Sequence, residues 1–246
     1  MNDEGRPAGR WSPLATLGWT FLVVAVVFVA QGAVAVAWIA WQTSLSGPGT
    51  PFMEIAEREQ YDGLMLSVAL VVGSAAAVAL TVVLVRLRRG EPVRSYLALR
   101  PVPWRTIAEW VGLALLAAVS FDLLTTALGR EVVPEFMREG YRTAEILPLF
   151  WLAICVVSPV FEEAAFRGFL FAGLERQSPG AAILVSTIVW AGIHLQYGLY
   201  ELSFVVVIGV VLAVARWRTG STLVPVAMHV ALNTLATIEA AMATGG

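Results

Sequence analysis

The sequence predicts an all-α protein, a polytopic bundle of about seven or eight transmembrane helices whose reactive residues sit on the C-terminal four. Three observations carry that expectation. Hydrophobic residues make up 58% of the chain and charged residues only 14%, with a mean hydropathy of +0.76, a balance that a water-soluble domain of 246 residues does not show. The apolar residues gather into seven runs, most of them near the roughly 20 residues that a helix needs to cross a bilayer. Between the runs lie short segments rich in arginine, acids, glycine and proline, the residues that punctuate spans.

The first run, 14–41, carries Trp19, Trp38 and Trp41 with Trp11 just before it, aromatic residues suited to the membrane interface. "AVAVA" at 33–37 imitates a signal-peptide cleavage site, but the run continues through Trp38 and Trp41. That is too long for a signal h-region, so the segment is expected to be retained. The polar loop "SGPGTPFMEIAEREQYDG" follows, with a short surface helix expected over 51–61. A second span is expected over 64–85, then an elbow over 90–105 in which Pro92, Pro101 and Pro103 stand among arginines, next to anionic headgroups. The third span is expected over 106–128. The fourth run, 146–172, contains Ser158-Pro159 and a charged cluster, and a broken helix or two short ones is expected there. Runs at 181–197, 202–215 and 221–243 complete the set.

Arginine placement predicts the orientation, because short cytoplasmic loops are enriched in Arg and Lys. Arg86, Arg88, Arg89, Arg94, Arg100 and Arg105 follow the second span, whereas the first loop holds Glu54, Glu57, Glu59 and Asp62 against Arg58 alone. The second loop is therefore expected inside and the first outside. Arg6 and Arg10 before the first span, and Arg216 and Arg218 after the sixth, agree with a cytoplasmic N-terminus over residues 1–13. An integral protein of a bacterial plasma membrane is the expected setting. All 16 basic residues are arginine and the net charge is −2, so nothing points to nucleic acid; membrane lipids and a membrane-associated substrate are the expected partners. Cys155 stands alone in an apolar run, which excludes a disulfide within the chain.

Ionisable residues inside apolar segments are functional candidates, because burying a charge in lipid is costly. They cluster in the second half: Glu162, Glu163 and Arg167, then His194, then His229 with the amide of Asn233. Glu163 and Arg167 are four apart, share a helix face and can pair. Glu162 is rotated by about 100° from Glu163, so the two carboxylates serve different purposes. His229 and Asn233 also share a face and could donate hydrogen bonds to a developing oxyanion. A carboxylate, two histidines and an amide are parts for activating water. The same groups offer a metal alternative, because zinc takes two histidines and a carboxylate, and Glu162 or Glu163 with His194 and His229 meets that count. The helical HExxH spacing is absent.

"EEAAFR", "WAGIH" and "HVALN" resemble, in order, the EExxxR, aromatic-xxx-His and HxxxN motifs of the CPBP intramembrane proteases, the CAAX protease and bacteriocin-processing or Abi family. The resemblance covers about residues 145–240. It divides the chain into N-terminal helices and loops over 14–145 and a protease-like catalytic core over 146–243. It implies an endopeptidase acting near the C-terminus of a membrane-associated substrate, a peptide or lipid-modified protein such as a prenylated CAAX chain. It implies that Glu162 is the general base, that His194 helps to hold the attacking water, that His229 and Asn233 form the oxyanion hole, and that Glu163 and Arg167 support the site. The family is described both as metal-independent glutamate proteases, which need no cofactor, and as metalloproteases. The glutamate mechanism is favoured here because Asn233 beside His229 suits an oxyanion better than an ion; under the metal alternative, zinc or another divalent ion would sit on Glu162, His194 and His229.

Two other classes compete. A transporter would use midplane charges and breaks at Pro159 and Pro225, but the polar residues do not recur in both halves as inverted repeats require. An immunity or scaffolding protein would bind a partner without cleaving it. Glu109, Asp122 and Glu239 read as interhelical or interfacial, Trp190 as packing or a groove wall, and Ser158, Pro159 and Pro225 as kinks.

Overall fold

A computed structural model describes residues 10–46, 49–88 and 90–245. Arg6, Arg89 and most of the 1–13 segment lie outside the described residues. Among the described residues there are ten helices and no strand.

Helix α1 (Pro13–Leu45) starts where the Ser12 hydroxyl accepts from the Ala15 amide at 3.3 Å and Pro13 fills a first-turn position that needs no N–H. The expected surface helix is α2 (Phe52–Glu59), which buries Ile55 and Glu59. Helix α3 (Gly63–Leu87) is capped by Asp62, whose Oδ1 accepts from the Met65 amide at 2.7 Å. One helical turn, α4 (Val93–Tyr96), forms the elbow before α5 (Trp104–Ala127). Then come α6 (Glu135–Arg142), α7 (Leu147–Leu174), α8 (Pro179–Gly192), α9 (Leu199–Thr219) and α10 (Leu223–Ala243). Gly220, at φ 63°, ends α9 in the left-handed conformation that glycine adopts freely.

Each of the seven apolar runs becomes a helix. Six are long and apolar enough to cross a membrane, and the seventh, α8, has only 14 residues. The run expected over 181–197 stops at Gly192, and residues 193–198 form a turn. The 202–215 run is longer than its apolar stretch, because α9 extends over 21 residues. The break expected at Ser158-Pro159 does not occur. Helix α7 is continuous, with π-helical stretches at Ala153–Val157 and Ala164–Leu170. The first widened turn lies immediately before Pro159 and absorbs a ring that would clash with a regular α-turn.

Helix α7 is the central post, packed against α1, α3, α8, α9 and α10 and burying Phe161, Phe166, Phe169 and Leu170. Helices α1 and α5 turn apolar side chains outward, among them Phe21, Phe28, Leu116 and Leu123, as helices facing lipid do. Polar ties identify the two ends of the bundle. At the elbow end, Arg10 pairs with Glu91 at 3.3 Å and Glu175 at 2.8 Å, and the Ser221 hydroxyl donates to the Arg100 carbonyl at 2.5 Å. There Ala98 holds a positive φ of 51°. Thr222 braces it, donating through its hydroxyl to the Leu97 carbonyl at 2.7 Å and through its amide to the Ala98 carbonyl at 2.9 Å. At the opposite end, the Thr143 hydroxyl donates to the Tyr61 carbonyl at 3.0 Å and accepts from the Gly63 amide at 2.9 Å.

Candidate active site

The polar residues singled out in the sequence come from three places. Glu162, Glu163 and Arg167 lie on α7, His229 and Asn233 on α10, and His194 on the turn two residues beyond α8.

Glu163 and Arg167 form the ion pair that their spacing predicts, with Nη1 to Oε1 at 3.1 Å and both side chains fully buried. Breaking such a pair leaves one charge stranded, so the pair survives only with further partners. Arg167 Nη2 donates to the Gly209 carbonyl at 3.1 Å, and its guanidinium lies 4.5 Å from the centre of the Trp190 ring. Glu163 Oε1 also accepts from His229 Nδ1 at 2.9 Å. Gly209 is needed for this arrangement, because a Cβ there would stand 2.9 Å from Thr187 Cγ2 and 3.0 Å from Trp190 Cε3.

Glu162 is directed differently, as the rotation along the helix requires. Its Oε1 accepts from the Ser158 hydroxyl and its Oε2 from the Trp190 indole N–H, both at 2.6 Å. The same Oε2 lies 3.9 Å from His194 Nε2 and 4.0 Å from His229 Nε2. Both distances are too long for a direct hydrogen bond. His194 Nδ1 faces the Trp190 carbonyl at 2.9 Å and His229 Nδ1 faces a carboxylate. Carbonyl and carboxylate oxygens only accept, so each ring carries a proton on Nδ1 and turns toward Glu162 an Nε2 that is bare in the neutral ring.

Three acceptors therefore converge on one spot, which suits a small species that donates. For an ion, the donor types are right and the Nδ1 partners are the kind that orient metal-binding histidines. The spacing is not. Zinc with bonds of about 2.1 Å in tetrahedral geometry places its ligand atoms about 3.4 Å apart, and Oε2 already takes a short bond from Trp190.

Asn233 has one of its amide hydrogens engaged. Its Nδ2 donates to the Ile154 carbonyl at 2.9 Å. Proline explains this. In the π-helical register the Ser158 amide bonds to Ala153, and Pro159 has no N–H to return to Ile154, so the Asn233 amide takes the missing donor's place. Its second N–H remains.

A cavity of about 170 Å³ reaches the site and is lined by Trp190, His194, His229 and Asn233 and, beside the start of α6, by Val132, Val133, Pro134 and Met137. Glu162 lies behind the histidines, 6% exposed. Asp122 and Glu239, read from the sequence as interhelical or interfacial, also line this cavity. Trp190 lines the cavity as one of its sequence readings had it, but the hydrogen bonds by which Ser158 and Trp190 hold Glu162 were not revealed by the sequence. Ser158 stands one turn before Glu162, so its spacing held a signal; the reach of Trp190 from α8 to α7 held none.

Residues 144–235 match the family described as Rce1-like, type II CAAX prenyl endopeptidase. The chain is also 30% identical over 150 residues to an Escherichia coli protein named "Uncharacterized 24.3 kDa protein", a match covering 58% of this chain and 66% of the relative, just under two thirds of its length. No solved structure gives a significant match.

Proposed function

We propose that this chain, which belongs to the Rce1-like family through residues 144–235, is an intramembrane endopeptidase. Its substrate is a membrane-associated polypeptide cut near its C-terminus, the kind of reaction that the family's description attaches to prenylated CAAX chains. The setting is a bacterial plasma membrane with the N-terminus in the cytoplasm. The observation that carries the reading is the convergence of two bare imidazole nitrogens on Glu162 Oε2, at 3.9 and 4.0 Å, at the end of a cavity.

A water placed there donates to Glu162 and to a histidine Nε2. Glu162 removes a proton as the water oxygen attacks the scissile carbonyl carbon. The Asn233 N–H not spent on Ile154, and His229 Nε2 when that ring carries a second proton, are the donors that face the resulting oxyanion. Glu162 then passes its proton to the departing amide nitrogen as the C–N bond breaks, leaving a carboxylic acid and an amine. Glu163 and Arg167 touch no substrate; they fix His229 and Trp190. The mechanism runs on water and side chains, with no cofactor.

The test is cleavage of a quenched fluorescent CAAX-type peptide by purified protein, compared with Glu162→Gln and repeated with a chelator. Cleavage that survives chelation and falls by several orders of magnitude in Glu162→Gln supports the reading. Loss on chelation with rescue by zinc overturns the metal-free mechanism. Equal activity of Glu162→Gln overturns the role of Glu162 and returns the non-proteolytic binding reading.

A further inference from the structure

The two ends of the bundle differ in charge and in access to the site. The elbow end carries Arg10, Arg86, Arg88, Arg94, Arg100, Arg105, Arg176, Arg216 and Arg218. The opposite end carries only Arg58, Arg130, Arg138 and Arg142 among the described residues. Three of these four already pair with acids: Arg58 with Glu59 at 2.9 Å, Arg138 with Glu131 at 2.9 Å and Arg142 with Glu139 at 2.6 Å. A bias of this size toward one end marks that end as cytoplasmic.

Glu162 lies nearer the elbow end of α7, 12 residues before Leu174 and 15 after Leu147, yet that side is closed. Below the site stand Arg167, Tyr96 and Thr222, all fully buried, with Phe169 stacked 5.6 Å from Tyr96 and the Arg216 Nε donating to the Arg167 carbonyl at 3.1 Å. The cavity extends in the other direction, with Val132, Val133, Pro134 and Met137 in its lining. It shares Val133, Pro134, Tyr197 and Glu201 with a second recess of about 430 Å³, whose rim includes Glu131 and the exposed Gln196. The space that reaches the site therefore lies toward the arginine-poor end.

We infer that the site opens on the extracytoplasmic face, and that its substrate is a polypeptide presented from that face: the outer segment of an exported or membrane-anchored chain, rather than a chain prenylated in the cytosol. This rests on the peptidase reading for the nature of the bond cut, but not for the side from which it is reached.

Accessibility tests the sidedness without requiring turnover. In a Cys155→Ser background, which removes the chain's one native thiol, single cysteines are introduced as Gln196→Cys and Glu131→Cys at the recess and Arg105→Cys at the elbow end. Intact spheroplasts are then treated with a membrane-impermeant maleimide. Both recess cysteines should be labelled to the same extent before and after permeabilisation, and Arg105→Cys only after it. Protection of the recess cysteines before permeabilisation, or labelling of all three, overturns the inference. In sealed right-side-out vesicles, the quenched peptide added outside should be cut without permeabilisation; cleavage that appears only after permeabilisation overturns the substrate half. Absence of cleavage in either state, with the labelling pattern as expected, overturns the peptidase reading and leaves the sidedness standing.

Discussion

Trp190→Phe isolates one hydrogen bond with little change of shape. Phenylalanine keeps a ring near Arg167 and Gly209 but removes the indole N–H, which donates to Glu162 Oε2 at 2.6 Å. Alanine would be uninformative, since a core Trp→Ala truncation costs about 3–5 kcal/mol through the cavity it leaves. A hydrogen bond to a charged, buried acceptor contributes about 1.5–3 kcal/mol. If the bond acts by holding Oε2 toward the two histidines, its loss appears in the transition state, and at about 1.36 kcal/mol per decade kcat/KM should fall by about 10- to 150-fold. Ser158→Ala removes the other donor to the same carboxylate, at 2.6 Å from Oε1, and should act in the same direction. The double variant should fall by less than the product of the two, because both bonds orient one group. The assay is kcat/KM for the quenched peptide, with thermal unfolding in detergent as a control for folding. A Trp190→Phe protein that cleaves within twofold of the parent would refute the reasoning.

Two further substitutions probe the supports. Gly209→Ala should push the indole away from Glu162, since the added Cβ meets Trp190 Cε3 at 3.0 Å; overpacking of about 1–3 kcal/mol should lower the unfolding temperature, and kcat should fall with it. Arg167→Met should strand Glu163, whose side chain is fully buried, at a cost of about 3–5 kcal/mol, seen as loss of the monodisperse peak in size-exclusion chromatography; adding Glu163→Gln should restore part of the stability while activity stays low.

Much of this was legible in the sequence, for identifiable reasons. Hydropathy located α7 to within two residues at either end, because its lipid-length apolar run dominates any local signal. The Glu163–Arg167 pair followed from helix geometry alone. The end of α8 did not, since the residues beyond Gly192 remain partly apolar and hydropathy cannot see a chain leave the helix at a turn. Ser158 was visible on the face of Glu162 but was outweighed by the proline beside it. Asn233 could not have been placed, because its partner is a carbonyl freed by a proline 74 positions earlier, and a missing N–H leaves no mark on the residue that replaces it.

The brevity of α8 also reaches beyond the protein. Its 14 residues cover about 21 Å, whereas a typical bilayer interior is about 30 Å thick. Lipids along α8 must shorten, tilt or give way to water, each a response to hydrophobic mismatch. A polar stretch of polypeptide arriving there would meet a thinned barrier, and would give up less hydration than beside a full-length span.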